Sequence, residues 1–198
     1  MPAFNINTFR SQLVGDGARP NLFQIQVPLA GIPSVNDPTN QKLTMMAKSA
    51  QLPGSTLGMV PLYYMGRELK FAGNRTFTDW TVTIINDEDF LVRNALEQWM
   101  NTINANVGNN RAVGALSSLN YQVDGVVTQY GKMNTAPLKT YKIIGLFPID
   151  VSPIDLDWGS NDSIEEFTVT FAYQWWESTT STDGSSSAAP TPPVSITL

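Results

Sequence analysis

The strictest constraint on the fold is an alternation near the C-terminal end. Phe167, Val169, Phe171, Tyr173 and Trp175 alternate with Glu166, Thr168, Thr170, Ala172 and Gln174. A period of two places one set on each face of a β-strand. Over 164–176 the pattern predicts one strand about 43 Å long, at about 3.3 Å per residue. That length exceeds what one small sandwich needs and fits an extended wall. Residues 75–85 repeat the pattern, with Trp80, Val82 and Ile84 on one face and Asp79, Thr81 and Thr83 on the other.

One helix is expected between them. Asn86 or Asp87 caps it, and Asp87, Glu88 and Asp89 lie at its positive end. Val92, Leu96, Trp99 and Ile103, flanked by Ala95 and Met100, form its apolar face, so it spans 86–104. Further strands are predicted over 22–27, 43–50, 121–130 and 139–147. Residues 59–72 read as two short extended pieces, interrupted by Pro61 and Gly66. Pro28, Gly31, Pro33 and Pro38 make 28–42 a loop, and 104–120 is a second. Residues 1–20 form an N-terminal arm, in which 7–11 starts a short helix stopped at Gly15. Residues 21–177 are the β domain, and 178–198 is a low-complexity tail. Its last five residues, Val194-Ser195-Ile196-Thr197-Leu198, alternate and suit capture as an added strand.

Composition removes several chemistries. The 198 residues include no His and no Cys. Triads built on His, imidazole or thiolate metal sites, thiol nucleophiles and disulfides are therefore excluded. Charged residues are only 15% of the chain, and Asn, Ser and Thr supply the missing polarity. The net charge of −5 is opposite to that of a protein that grips nucleic acid. No apolar run is long enough to span a bilayer, and no signal peptide is expected.

Residues 155–166 partly imitate a calcium loop. Asp155, Asp157, Asn161 and Glu166 occupy positions one, three, seven and twelve. The turn glycine is displaced and strands flank the segment, which favours a polar β-turn. Asp87-Glu88-Asp89 reads as capping charge rather than a metal site. Trp80, Trp99 and Trp175 fall on apolar faces and read as core; Trp158 and Trp176 stay open. No constellation supports catalysis, and no cofactor is expected.

Five strings, in order across about 19–177, carry a resemblance. They are Ala18-Arg19-Pro20-Asn21-Leu22-Phe23-Gln24, residues 72–83 with Asn86-Asp87-Glu88, Gly145-Leu146-Phe147-Pro148, Leu156-Asp157-Trp158-Gly159-Ser160-Asn161, and Phe167-Thr168-Val169-Thr170. Together they resemble the tail tube proteins of contractile-tailed, T-even-type phages. Relative to that family, 28–42 and 104–120 look expanded and 178–198 looks added.

The resemblance implies a mainly β subunit, an antiparallel β-sandwich or barrel with one flanking helix. Six such subunits would close a ring, and rings would stack into a virion tail tube assembled in the host cytoplasm. It implies a sheath, a baseplate tube-initiator, a tape measure protein and a tail terminator as partners, with double-stranded DNA passing transiently. Four strands from each of six subunits, at about 4.8 Å spacing and about 40° tilt, give a backbone diameter of about 48 Å. The candidate lumen face is Asp79, Thr81, Thr83, Glu166, Thr168, Thr170 and Gln174. The candidate inter-subunit loop, within 51–73, carries Leu57, Met59, Leu62 and Met65. A tube-initiating baseplate ring, the tube of a phage-derived injection device and a carbohydrate-binding β-sandwich stand as alternatives.

Overall fold

The computed structural model describes residues 5–14, 17–29, 37–132 and 137–178. The tail beyond Ser178, with its alternating last five residues, lies outside them. The chain is mainly β and antiparallel throughout. Helix α1 (Ile6–Gln12) opens it, with the Asn5 side chain accepting from the Asn7 N–H, and buries none of its residues. Strand β1 (Phe23–Gln26), helix α2 (Asp37–Met46) and strand β2 (Ala47–Ala50) follow. Next come β3 (Ser55–Tyr64), β4 (Arg67–Phe77), β5 (Trp80–Ile85) and α3 (Leu91–Ile103). A short 3-10 turn (Val113–Ala115) and α4 (Ser118–Tyr121) then lead into β6 (Val123–Tyr130), β7 (Pro137–Val151), β8 (Glu166–Ala172) and β9 (Trp175–Ser178).

Seven strands share one bent sheet in the order β1-β6-β7-β8-β5-β2, with β9 also paired to β7. Strand β7 belongs to both layers of the sandwich. Residues 137–146 pair with β6, 141–144 pair with β9 on the other side, and 147–151 pair with β8. The strand changes partners at Gly145, whose φ of 69° is a left-handed value that L side chains adopt only under strain. A Cβ there would also lie 2.8 Å from Gln174 Cγ.

The layers close on a single core. Trp80, Val82, Ile84, Phe167, Val169 and Phe171 come from β5 and β8, as their alternation predicts. Ile25, Val127, Ile143 and Leu146 oppose them, and Val92, Leu96 and Trp99 of α3 complete the cluster. Trp99 is fully buried, and its Nε1 donates to the Tyr121 carbonyl at 2.9 Å. A buried indole N–H thus has a partner, as burial requires.

Several sequence expectations are corrected. Residues 43–46 are the last turn of α2, not strand. Pro38 is the second residue of that helix, where proline's missing N–H costs no intrahelical bond. The sandwich therefore has a second helix of substantial length. The extended piece 75–85 is two strands, broken at Thr78 and Asp79. The expected long strand over 164–176 is also two, broken at Tyr173 and Gln174. After that break Trp176 packs on the core and Trp175 is 45% exposed, reversing the expected face. Helix α3 begins at Leu91 rather than at Asn86 or Asp87, because Phe90 holds φ 51°, outside the helical region. Neither Asn86 nor Asp87 caps it: Phe90 is the N-cap residue and makes no side-chain cap bond, while Asp89 before it accepts from the Leu91 N–H at 3.0 Å. Within the expected loop 104–120 lie the 3-10 turn and the start of α4.

Candidate functional site

Two surfaces stand out, and both follow from register. On the first, β5 and β8 pair Thr81 with Thr170, Thr83 with Thr168 and Ile85 with Glu166. Val82, Ile84, Phe167 and Val169 point into the core, so the four threonines share the opposite face. Ser49 of β2 lies opposite Thr83, and Asp150 of β7 lies opposite Thr170, which extends the polar face across four strands. The hydroxyl of Ser152 accepts from the Thr168 N–H at 2.9 Å, binding the sheet edge to this face.

Five of the seven residues proposed from sequence for a lumen face are thereby brought together. Asp79 and Gln174 are not; they occupy the breaks before β5 and after β8. Gln174 donates its N–H to the Ile144 carbonyl and covers Gly145. Glu166 is not a free charge either. It pairs with Lys48 Nζ at 2.5 Å at the end of the face where β5 stops. Sequence gives no hint of that pair, whose members lie 118 residues apart.

The second surface is the β3–β4 hairpin. What the sequence presents as a loop and two short pieces is a ribbon of paired strands closed by Met65 and Gly66. Both turn residues have positive φ, 46° and 80°, the pattern of a tight hairpin turn matched to strand twist. Register gives the ribbon two unlike faces. Val60 and Phe71, Leu62 and Leu69, and Tyr64 and Arg67 are partners on one, which is almost wholly apolar. Met59 and Ala72, Pro61 and Lys70, and Tyr63 and Glu68 form the other, which is mixed.

Every residue of β3 is exposed. The proposed contact residues Leu57, Met59 and Leu62 are 56%, 54% and 56% exposed, and Met65 is 89% exposed at the turn. Sequence reasoning missed Val60, Tyr64, Leu69 and Phe71, which belong with Leu62. The alternation was the available signal, masked by Pro61 and the bulge that shifts register between Leu57 and Met59.

Among the described residues, the ribbon's side-chain anchors to the sandwich lie at its base. Trp80 Nε1 donates to the Gln51 carbonyl at 2.7 Å, and Trp176 Nε1 donates to the Gly54 carbonyl at 3.2 Å. Phe77 packs on Tyr173 with ring centroids 6.0 Å apart. Burial, and secondarily the charge of Asp79, pushes the Tyr173 hydroxyl above its ordinary pKa, and its O–H donates to the Gly54 carbonyl at 3.5 Å.

A third feature fixes α2 against the start of α3. Lys42 Nζ pairs with Asp87 at 2.7 Å and also with Asp89. The hydrogen bond to Asp87, then that to Asp89, raises the Lys42 pKa; the bond from Lys42 is the largest cause lowering each carboxylate. Among the described residues, no group of three acidic side chains is placed to hold a metal ion. In the segment resembling a calcium loop, Asp157 instead accepts from the Gly159 and Ser160 N–H groups, making a turn. Nor is any described helix long and apolar enough to cross a membrane.

Comparison with known proteins agrees with a mainly β tube fold. The family model described as phage tail tube protein matches residues 18–179. The chain is 37% identical over 163 residues to the tail tube protein gp19 of Enterobacteria phage T4, covering 82% of this chain and 93% of that one. It is 25% identical over 170 residues to the tail tube protein of Serratia phage KSP90, covering 85% and 93%. Among solved structures, a chain of the sheath/tube terminator of an extracellular contractile injection system, PVC, superposes with a TM-score of 0.59 at 14% identity, covering 84% of this chain and 99% of that one. A chain of the PVC sheath-tube complex gives 0.55 at 16%, covering 85% and 95%. At those identities the two structures speak for the fold alone, and the sequence relatives carry the assignment. The chain belongs to the phage tail tube protein family.

Proposed function

We propose that this chain is the structural subunit of the inner tube of a contractile phage tail, a conduit for DNA and not an enzyme. Six copies close a ring, their sheets join into one barrel, and rings stack inside the sheath. The observation that carries this reading is the β3–β4 hairpin. An isolated two-stranded ribbon is marginal in water, and an apolar ribbon face is rarely left uncovered. Neighbouring copies would supply the cover. Joined sheets would likewise remove the open edges at β1 and β2.

The threonine face of β5 and β8 lines the lumen in this reading. Its hydroxyls hydrate the passing polymer, and it offers no Lys or Arg free to hold phosphates. The domain at 21–177 would be the tube-forming unit, with 1–20 as an arm and 178–198 as an outer tail. The sheath protein, a baseplate tube-initiator, the tape measure protein and a tail terminator are its proposed partners, in a virion tail assembled in the host cytoplasm. Family membership favours this over a carbohydrate-binding sandwich.

Electron microscopy of the purified protein at high concentration, alone and with tail initiation complexes, tests the reading. Rings or tubes about 48 Å across at the backbone of the inner barrel are expected. A strictly monomeric protein under every condition would overturn it. Copy number in intact particles distinguishes the tube subunit from an initiating ring.

A further inference from the structure

The two ends of the sandwich carry unlike surfaces. At one end, where β5 begins and β8 stops, the hairpin projects. It carries Arg67, Lys70 and Arg75 against one acid, Glu68. At the other end, where β5 stops and β8 begins, residues 152–165 join β7 to β8. That loop holds Asp155, Asp157, Asp162 and Glu165 and no basic residue. Its apolar members Leu156, Trp158 and Ile164 are 81%, 101% and 73% exposed. Apart from Glu165, which accepts from Asn86 Nδ2, its acids are exposed. Among the described residues, the three hairpin cations and Asp155, Asp157 and Asp162 make no ion pair within the chain.

We infer that the loop between β7 and β8 is the receiving surface for the hairpin of another copy of this chain. Charge and apolarity match on both sides: a basic ribbon with an apolar face meets an acidic loop around an exposed indole. Within one subunit the two surfaces leave from opposite ends of β5 and stay apart: β3 is exposed along its whole length, and Trp158 of the loop is fully exposed. The contact is therefore head to tail. A heterologous contact closes a ring or propagates along an axis according to the rotation it carries, and ring stacking uses the second case. This inference rests on the tube reading and adds its polarity and the identity of the receiver.

Two measurements test it. The chain has no Cys, so Tyr64→Cys with Trp158→Cys places the only two thiols on the proposed partners. Bismaleimide treatment of assembled tubes should give a ladder of covalent oligomers, and either single variant should stop at dimers or below. Separately, Arg67→Glu with Lys70→Glu, or Asp155→Lys with Asp157→Lys and Asp162→Lys, should slow polymerisation at least about tenfold at low salt. Combining all five changes restores opposite charge with the signs exchanged, and should recover most of the rate.

Variants are compared only after circular dichroism and monomer mass match those of the parent. Tubes that form normally yet give no ladder, with no recovery in the combined variant, would overturn the assignment of the receiver and leave the tube reading standing. A parent chain that makes no rings or tubes under any condition would remove both.

Discussion

Gly58 and Gly73 face one another across the hairpin, each with backbone atoms pressed close to the place a side chain would take. A Cβ on Gly73 would sit 3.0 Å from the carbonyl carbon of Gly58, and one on Gly58 would sit 3.1 Å from the Asn74 carbonyl oxygen. The neighbours are backbone, which cannot swing aside. Gly73→Ala should cost the ribbon about 1–3 kcal/mol of local stability, in the range for overpacking. Hydrogen exchange should accelerate within 55–77 while the core amides stay protected, and tube growth should fall. Unchanged exchange across the ribbon would contradict the close approach.

The apolar ribbon face supplies a second test. Leu62→Asp with Leu69→Asp places two charges on the cross-strand pair at its centre. Monomer melting should hardly move, since both side chains already face solvent. Polymerisation measured by sedimentation should be abolished. Growth at the parental rate would show that this face is not covered in the tube.

The core can be probed through Trp99. Trp99→Ala removes a fully buried ring and its bond to Tyr121. Denaturant unfolding should show a loss of about 3–5 kcal/mol, the usual range for a large aromatic. Trp99→Phe should recover part of that loss, because it keeps most of the volume and lacks the donor.

Lys42, Asp87 and Asp89 predict a pH profile. The two carboxylates are held below their ordinary value near 3.8, and the amine above its ordinary value near 10.5. The carboxylate contribution is complete above about pH 3.8 and is lost as pH falls through the depressed values. The lysine contribution is complete below about pH 10.5 and is lost as pH rises through the raised value. Lys42→Met should therefore lower the melting temperature most between these limits, with the difference from the parent closing at both extremes. A constant difference across the whole range would point to packing rather than charge.

Thr168→Lys with Thr170→Lys tests the lumen assignment. DNA carries one charge per about 1.7 Å of axis, so cations repeated around every ring would retain it. Ejection from particles confirmed to carry the variant should slow, more at low salt than at high salt. Parental kinetics at low salt would place this face elsewhere in the assembly.

The core faces of β5, β8 and α3 were legible because period two and period 3.6 each mark one buried side. The break at Tyr173 and Gln174 was not. The alternation runs on through Trp175, and only pairing of Ile143 with Trp176 across β7 turns the second tryptophan inward. Helix α2 was hidden by Pro38, which reads as a breaker unless its place in the first turn is known. The threonine face could be read as a stripe, whereas the neutralisation of Glu166 by Lys48 depends on β2 lying beside β5. Of the hairpin, Leu57, Met59, Leu62 and Met65 could be picked out as contact candidates from sequence. Their division into two unlike faces needed the register set beyond the bulge at Gly58 and Gly73.

Strand β7 has a mechanical consequence. Because one continuous chain runs through both layers and turns at Gly145, the layers cannot slide past each other without unzipping β7 from β6 or from β8. Compression along a stack would load covalent backbone and two hydrogen-bonded ladders together, rather than a greasy interlayer plane. A wall of such subunits resists shear within each building block, and its weakest joints are the contacts between blocks.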